Sequence, residues 1–270
     1  MDAETLPHPE PRLLAWRIEQ AQAEQVDQTP LPGRVGRPSL HVAGGRAIYT
    51  GPRALYSVAL GVGLGGAVSA KDLDRIEALL GQDGGAVRIE LGPFCDPSLR
   101  QELARRSYAV EDFQLVWWRP PGGGPPPPPG VTVRPLEVGE ERTWAGLFFH
   151  AYAGRPVSTD VELAGGLNLT RTPCNTCFLA CVDGEPRGVG VVSATGGVAL
   201  LSGDGVPWPY QGRGLQLALI RARLAWAAEQ GCDVATAATA PSTASQRSYE
   251  KAGFRCAYPK LIMVRTPPGA

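Results

Sequence analysis

The pattern of apolar and polar residues in the second half of the chain predicts one long amphipathic helix. Leu215–Gln230 carries apolar residues at the spacing of three and four that is typical of a half-buried helix. Gly231 follows at once, and glycine is the residue type that most often ends a helix. The apolar positions are Leu217, Ile220, Leu224, Ala227 and Ala228.

Shorter periodic segments predict strands and further helices on both sides of this one. Ser69 and Asp72 form an N-cap signature for a helix at Ala70–Leu80. Strands and helices mixed in this order predict an α/β (α+β) fold, a sheet with helices on both faces. Strands are predicted at Arg46–Thr50, Leu55–Leu60, Ala86–Leu91, Tyr108–Arg119, Val131–Arg134, Cys177–Val182, Pro186–Ser193, Val198–Ser202, Asp233–Ala238 and Phe254–Val264. The remaining helices are predicted at Pro97–Arg106, Val138–Tyr152, Asp160–Leu169 and Thr243–Ala252.

A segment rich in proline and glycine, Pro120–Gly130, divides the chain. Its five consecutive prolines, Pro125–Pro129, favour polyproline II, an extended spacer of about 3.1 Å per residue. An aromatic strand precedes the segment and a β-branched strand follows it. The sequence therefore predicts two domains, 1–119 and 131–270, joined by a linker at 120–130.

The two halves resemble distant repeats of each other. Glu102–Arg119 and Tyr249–Arg265 both read as a helix end, a small residue, an aromatic residue and a final strand. When they are aligned, the apolar run Leu115–Trp118 falls on Leu261–Val264 without a gap. Self-similarity of this kind indicates duplication, although strands of similar composition could also produce it.

Composition excludes several classes of partner. Lys+Arg and Asp+Glu both number 26, so no basic field is available to collect nucleic acid or anionic lipid. Met1–Pro11 lacks the apolar core of a secretion signal, and the uncharged run Ala54–Ala70 contains four glycines and is too short for a membrane span. The cytoplasm is the expected compartment. Six cysteines occur in a chain too large to need disulfides: Cys95, Cys174, Cys177, Cys181, Cys232 and Cys256.

The residues before the long helix form a turn suited to a diphosphate. In Pro209–Gln216, which reads PYQGRGLQ, two glycines precede a helix start. Such a turn presents several unpaired backbone N–H groups at the positive end of a helix, where anions bind. Arg213 adds a charge that could reach a phosphate. Gly-rich turns also serve as plain connections, so the turn by itself is a weak signal.

Two motifs together resemble the GNAT superfamily of acyl-CoA N-acyltransferases. The family's loop reads Gln/Arg-x-x-Gly-x-Gly/Ala, and Gln211 and Gly214 match it. Gln216 stands where the family has a small residue, so its bulk is expected to crowd the diphosphate. Ser242–Phe254, STASQRSYEKAGF, is similar to the family pattern Asn-x-x-Ala/Ser-x-x-x-Tyr-Glu-x-x-Gly-Phe. Ser242 replaces the asparagine that bonds the pantetheine arm in the family.

The resemblance covers about 131–265 and implies a fold, a reaction and a cofactor site. Each half would be a mixed, mostly antiparallel sheet flanked by helices, and the first half would be a degenerate copy. An acetyl group would pass from acetyl-CoA to a primary amine, on a small molecule or a peptide, by direct attack in a ternary complex. The strand before the loop would splay from its neighbour and expose backbone to pantetheine. The implied cofactor-binding residues are Val206, Gln211, Gly212, Arg213, Gly214, Leu215, Gln216, Ser242 and Ser245.

Acyl transfer to an amine needs a base for the amine and an acid for the departing thiolate. Tyr249 stands where the family often has its general acid, although it could equally be a packed tyrosine. Asp204, at the end of the strand before the loop, could take the amine proton, but aspartate is also an ordinary turn residue. His150 is the alternative base, and Phe148, Phe149, His150 and Tyr152 could line the acceptor pocket.

Two other motifs are typical of different functions, but both lack the context that those functions require. Cys174–Cys177 is a CxxC with neither a second pair nor a nearby histidine, so buried cysteines explain it better than zinc. Gly61–Gly66 matches GxGxxG, but the helix is predicted to begin only after Ser69. The glycines would therefore not form the helix N-terminus, as a nicotinamide site requires. A CoA-binding module without catalysis also remains open, because Ser242 and Gln216 depart from the family pattern.

Overall fold

The computed structural model of the chain describes residues 10–30, 38–51 and 57–266. Within these ranges it contains seven α-helices and one sheet of 11 strands. The strands are β1 (Ser39–Val42), β2 (Gly45–Ile48), β3 (Val58–Leu60), β4 (Val87–Leu91), β5 (Ala109–Arg119), β6 (Val131–Pro135), β7 (Asn175–Val182), β8 (Glu185–Thr195), β9 (Val198–Gly205), β10 (Val234–Thr239) and β11 (Arg255–Arg265). The helices are α1 (Pro11–Gln28), α2 (Ala70–Leu80), α3 (Pro97–Arg105), α4 (Glu141–Ala153), α5 (Asp160–Arg171), α6 (Leu215–Glu229) and α7 (Ala244–Lys251).

The structure confirms the mixed α/β class and most of the elements predicted from periodicity. α2 has the predicted bounds, and its capping box forms in both directions between Ser69 and Asp72. Of the strand predicted at Leu55–Leu60, β3 provides Val58–Leu60, whereas Leu55 and Tyr56 lie outside the described residues. Periodicity missed α1 and β1. None of the helices in the described ranges is both long and apolar enough to cross a membrane.

The sequence order of strands and helices repeats along the chain. The order β1–β2–β3–α2–β4–α3–β5 in the first half recurs as β7–β8–β9–α6–β10–α7–β11 in the second. The parallel pairings among the described strands are β3 with β4 and β9 with β10, one in each half. This is the arrangement that duplication predicts, and duplication stays a proposal.

The two halves exchange their last strands. β5, from the first half, lies between β10 and β11, and β11, from the second half, lies between β4 and β5. As a result Trp117 of β5 belongs to the same hydrophobic cluster as Leu215, Tyr249 and Phe254. The predicted boundaries at 119 and 131 describe the sequence, but they do not separate two independent sheets.

The Pro/Gly-rich linker lies along α6. The N–H group of Gly122 donates to the carbonyl of Leu224 at 3.2 Å, and a Cβ added at Gly214 would lie 2.9 Å from Cγ of Pro128. The segment therefore packs against the helix from Leu224 towards its N-terminus.

α1 fills the gap between β3 and β4, the position in the first half that corresponds to the gap between β9 and β10. Residues of α1, β4 and β11 and of the segments that follow β3 and β4 line a cavity of only about 10 Å³ there. Lys260 is 1% exposed and forms ion pairs with Glu19 of α1 and Glu90 of β4. Burial raises the pKa of Glu90. Buried charges of this kind need partners, and each of these has one.

Candidate functional site

A cleft opens where β9 and β10 separate. The two strands pair in parallel only over Val198–Leu200 and Val234–Thr236. β9 then continues to Gly205 and β10 to Thr239 without further pairing between them in the described residues. The cleft has a volume of about 570 Å³ and is lined by β9, the loop after it, and the first turns of α6 and α7.

The loop at the cleft has the geometry of an anion site. Gly212 has φ +75° and Gly214, the N-cap of α6, has φ +83°. These left-handed conformations favour glycine. No side chain of the described residues caps α6, so its first N–H groups are free to bind an anion at the positive end of the helix. Space is open around Gly212, where an added Cβ would meet no atom within 4 Å.

Side chains of the loop shape it and add positive charge. Nε2 of Gln211 donates to the carbonyl of Val206 at 2.9 Å and closes the turn on itself. Arg213 and Arg187 lie over the ring of Tyr210, with guanidinium carbons 5.9 and 4.8 Å from its centroid. Leu215 is buried in the core and anchors the start of α6. The rim of the cleft is therefore positively charged beside the uncapped helix.

Asp204 is the centre of a hydrogen-bond network at the floor of the cleft. Its Oδ2 accepts from the hydroxyl of Tyr249 at 2.5 Å and from Nε2 of Gln216 at 2.9 Å. Its Oδ1 accepts from Nη1 of Arg223. The side chain of Gln216 thus points to Asp204, and the expectation that its bulk crowds a diphosphate has no support in its contacts.

Arg223 is the site residue that sequence reasoning missed. It lies in the middle of α6, is 0% exposed, and forms a buried ion pair with Asp204. A signal was available, since Arg223 stands between Leu219 and Ala227 at steps of four on the apolar face of the helix. An ionised side chain at such a position requires a partner in the core.

Tyr249 lies at the end of the cleft, on α7. It is 2% exposed and packs edge-on against Phe254, with ring centroids 5.0 Å apart. Burial, together with the nearby carboxylate of Asp204, raises the pKa of this phenol well above its ordinary value, while Arg223 opposes the shift. The hydroxyl is therefore protonated at neutral pH.

α4 provides one wall of the cleft through Ala151 and Tyr152. A Cβ added at Gly205 would lie 2.7 Å from Cβ of Ala151, so glycine permits the close approach of α4 to β9. Phe148 instead stacks on Trp144, with ring centroids 5.5 Å apart, and Phe149 lies under Arg155. Of the four residues proposed for the acceptor pocket, Tyr152 is the one found in the lining.

The two serines assigned to cofactor binding differ in position. Ser245 lines the cleft beside Ser248, on the first turn of α7. Ser242 is exposed, has φ +63°, and donates its backbone N–H to Oε1 of Gln246 at 2.7 Å. The role of Ser242 as a substitute for the family asparagine stays a prediction.

The glycine-rich turn of the first half uses its amides internally. The N–H groups of Gly63 and Gly65 both donate to the carbonyl of Ala43, at 3.0 and 2.9 Å. A Cβ added at Gly45 would lie 2.2 Å from the amide nitrogen of Val62. These glycines permit close packing of two turns, and the turn offers no set of free donors at the start of α2.

The cysteines of the CxxC lie on and beside β7 as free thiols. Cys177 is buried, and burial raises the pKa of its thiol to about 12. No group of three or more potential metal ligands was found among the described residues. The contacts of Cys177 are those of a core residue of β7, in a cluster with Trp144 and Leu179.

Comparison with known proteins identifies one family in the second half. Residues 142–254 match the model of the acetyltransferase (GNAT) family. No curated protein is significantly similar to the chain in sequence. The matched range contains both motifs and the network centred on Asp204.

Solved structures share the fold over nearly the whole chain. A GCN5-related N-acetyltransferase from Kribbella flavida has a TM-score of 0.70 at 19% identity, covering 95% of this chain and 96% of that one. A GCN5-related N-acetyltransferase from Sphaerobacter thermophilus has a TM-score of 0.56 at 19% identity, with 97% and 96% covered. A tandem GNAT protein from the clavulanic acid biosynthesis pathway has a TM-score of 0.56 at 15% identity, with 95% and 98% covered.

Proposed function

We propose that the chain transfers an acetyl group from acetyl-CoA to a primary amine by direct attack in a ternary complex, starting from the match of residues 142–254 to the model of the acetyltransferase (GNAT) family. Acyl transfer from acyl-CoA to an amine is the general chemistry of the fold. We further propose acetyl-CoA as the donor and a small-molecule or peptide amine as the acceptor.

One observation carries the proposal, namely the uncapped N-terminus of α6 beside the separated strands β9 and β10. Gly212 and Gly214 hold the loop in left-handed conformations that direct backbone N–H groups outward. Fixed donors at a helix N-terminus suit the diphosphate of acetyl-CoA. Arg213 supplies a guanidinium at the same rim for a phosphate oxygen.

The edge of β9 that faces the cleft suits the pantetheine arm. Leu201–Gly205 of this strand and Val206 after it line the cleft, and the pairing with β10 ends at Leu200 in the part of the chain described. Backbone groups on that edge can bond to the two amides of the arm, as a neighbouring strand would. Ser245 lies on the opposite wall.

Tyr249 is suited to protonate the departing thiolate. The phenol is protonated at neutral pH because burial and Asp204 raise its pKa. The acceptor nitrogen attacks the thioester carbonyl and the C–S bond breaks. The hydroxyl of Tyr249, which donates to Oδ2 of Asp204 in the resting site, turns from that oxygen and gives its hydrogen to sulfur. The phenolate then takes the proton that the new amide nitrogen must lose, so the tyrosine is restored and charge balances.

The contacts of Asp204 favour a positioning role over that of the amine base. Both of its oxygens accept hydrogen bonds, from Arg223 on one and from Tyr249 and Gln216 on the other. Hydrogen bonds therefore tie this carboxylate to three side chains, which suits a group that fixes the position of its neighbours. The assignment of Asp204 as the base, and of His150 as its alternative, remains a prediction.

Two measurements test the proposal. Calorimetry with acetyl-CoA, CoA and NAD should detect binding of the CoA compounds only, and a thiol-release assay over a panel of amines should detect turnover. Binding without thiol release on any amine would support a non-catalytic CoA-binding module. No binding of CoA compounds at millimolar concentration would overturn the cofactor assignment.

The residue-level test is Tyr249→Phe. Turnover should fall at least about 100-fold, the range of general acid catalysis, while the Kd for acetyl-CoA changes less than about threefold. Tyr108→Phe is the matched control, because Tyr108 is also buried and donates to a carboxylate, Glu77, at 3.2 Å. Equal turnover in Tyr249→Phe and the wild type would remove Tyr249 from the mechanism.

A further inference from the structure

β9 carries a β-bulge at the point where it enters the cleft. The register between β8 and β9 shifts between Val189 and Val191, so that Gly203 and Asp204 lie opposite the single residue Gly190. Gly203 has φ +59°, a conformation that favours glycine. A bulge of this kind bends a strand and redirects the side chain that follows, here that of Asp204.

The guanidinium of Arg223 holds the two strands together at this bulge. Nη1 donates to the carbonyl of Val191 on β8 at 2.8 Å and to that of Ser202 on β9 at 3.2 Å. Nε donates to the carbonyl of Leu219 at 3.0 Å, which fixes the side chain against its own helix. Arg223 therefore contacts β8, β9 and α6 at once.

Gly190 makes room for this side chain. A Cβ added there would lie 2.9 Å from Cζ and 3.0 Å from Nε of Arg223. Real Cβ atoms do not approach other atoms so closely, so an alanine at 190 would force the guanidinium out of its hydrogen bonds to the backbone of β8 and β9. Glycine at 190 and arginine at 223 are thus two parts of one packing arrangement.

The same guanidinium is linked to the phenol of Tyr249 through Asp204. Nη1 bonds to Oδ1 of Asp204, and Oδ2 of that carboxylate accepts from the hydroxyl of Tyr249. Nη2 of Arg223 is buried and has no hydrogen-bond partner among the described residues. A buried donor without an acceptor is costly, and this one lies in the network that contains the hydroxyl.

We infer that Arg223 is a positioning residue for the proposed transfer reaction: it fixes the β9 bulge and Asp204 so that the hydroxyl of Tyr249 is held in place, and its free Nη2 stabilises the phenolate that forms when Tyr249 gives its proton to sulfur. The inference rests on the proposed function, because it concerns the acid step of that reaction. Each catalytic cycle passes through the phenolate once, and the guanidinium remains protonated throughout.

The first test needs no activity. Arg223→Lys keeps the positive charge, but a single ammonium cannot match the planar set of donors that contacts three elements. Hydrogen exchange of backbone amides at Gly203–Val206 should become faster in Arg223→Lys and stay unchanged in Arg221→Lys, a matched change on the same helix. Unchanged exchange at these amides would overturn the claim that Arg223 fixes the bulge.

The second test is kinetic and uses a double-mutant cycle. Arg223→Lys should lower kcat at least about tenfold while the Kd for acetyl-CoA stays within about threefold. In a Tyr249→Phe background the same change should have no further effect on kcat, because the group that Arg223 serves is gone. Equal losses in both backgrounds, as a general structural defect would produce, would overturn the inference.

A second variant keeps the proposal testable if Arg223→Lys does not fold. Gly190→Ala leaves the charge in place and displaces the guanidinium from β8, so it should reproduce the loss of kcat and the faster exchange. Loss of thiol release in Arg223→Lys with an active wild type supports the inference. An inactive wild type that nevertheless shows the exchange difference would count against the proposed function and leave the fixed bulge standing.

Discussion

The indole Nε1 of Trp117 donates a 2.9 Å hydrogen bond to Oγ1 of Thr239. Trp117 lies on β5, the last strand of the first half, and Thr239 on β10, a strand of the second half that borders the cleft. Both residues are buried. The core under the candidate active site is therefore built from both halves, although the family match begins only at residue 142.

This arrangement predicts that cutting the linker will not separate the halves. A protease site placed at Gly122–Gly124 should allow complete cleavage, and the two fragments should still migrate as one particle in size-exclusion chromatography. The physical reason is that β5 lies between β10 and β11, so dissociation would break both ladders. Fragments that separate without denaturant would contradict the strand exchange.

The linker itself supplies a control for that experiment. Pro128 packs against Gly214 of the loop. Cleavage after Pro128 should therefore weaken acetyl-CoA binding more than cleavage at Gly122–Gly124 does. Both cuts leave the sheet unchanged. The comparison therefore separates an effect on the loop from an effect on the association of the halves.

A second prediction concerns the strained backbone at Ser242. Its φ of +63° lies in the left-handed region, which costs most residues about 1–2 kcal/mol and which asparagine adopts more readily. Ser242→Asn should raise the free energy of unfolding by up to about 1 kcal/mol, measured by urea denaturation. Asparagine is also the residue of the family motif, so the Kd for acetyl-CoA should not rise.

Ser242→Ala is the control for this prediction. It removes the hydroxyl and keeps the same backbone strain, so it should give no gain in the free energy of unfolding. A gain in the alanine variant equal to that in the asparagine variant would show that the strain is not the cause. The difference in the Kd for acetyl-CoA between Ser242→Asn and Ser242→Ala then measures the contribution of the asparagine side-chain amide.

The sequence predicted the elements that local chemistry determines. α2 followed from its capping box, and α6 was predicted at the right place from its apolar periodicity. The predicted apolar face of α6 was partly wrong, because Ala228 is exposed while Ala218 and Leu219 are buried. The glycine-rich loop before α6 was predicted because glycine spacing and a helix start are local features, and its diphosphate role stays a prediction. The element order needed no knowledge of which strands pair.

Long-range relations could not be predicted in this way. The exchange of β5 and β11 joins residues more than a hundred positions apart. The sequence of either strand does not indicate which strand it pairs with. α1 was missed because its buried face carries Glu19 and Gln25, which disguise the apolar pattern. Arg223 was missed for a similar reason, since its partner Asp204 lies on another element.

A third prediction links α1 to the cleft. Nε2 of Gln25 donates to Oδ1 of Asn175 at 3.0 Å and to Oγ of Ser202, which lines the cleft, at 3.2 Å. Asn175 in turn donates to the carbonyl of Leu169 on α5 at 2.9 Å. Gln25→Ala should raise the Kd for acetyl-CoA, because Ser202 lies on the part of β9 proposed to bind the pantetheine arm.

The matched control is Gln20→Ala, on the same helix. Nε2 of Gln20 bonds to the carbonyl of Gly44 in the first half at 2.7 Å, away from the cleft. Gln20→Ala loses one side-chain hydrogen bond of α1 and Gln25→Ala loses two, each at a cost of about 0.5–1.5 kcal/mol. An equal rise of the Kd for acetyl-CoA in both variants would mean that the effect comes from the stability of α1, and the link through Gln25 would be wrong.

The last prediction concerns acid stability at the start of α5. Hydrogen bonds from Arg155 and from the backbone N–H of Ser158 lower the pKa of Glu162 to about 2. The unfolded chain holds a glutamate near its ordinary pKa of about 4.3. A carboxyl group whose pKa is lower in the folded state stabilises the fold above the unfolded pKa and loses that contribution as pH falls towards the folded pKa. The contribution of Glu162 should therefore be complete above about pH 4.5 and disappear by about pH 2.

Thermal unfolding of the wild type and Glu162→Gln between pH 7 and pH 2 measures the contribution of Glu162 to the stability of the fold. The variant should melt at a lower temperature at pH 7, and the difference between the two curves should shrink as pH falls from about 4.5 to about 2. Glu229→Gln, an exposed carboxyl group at the end of α6, controls for the loss of one negative charge. A difference that stays constant down to pH 2 would contradict the prediction, because it would show that the contribution of Glu162 does not depend on its charge.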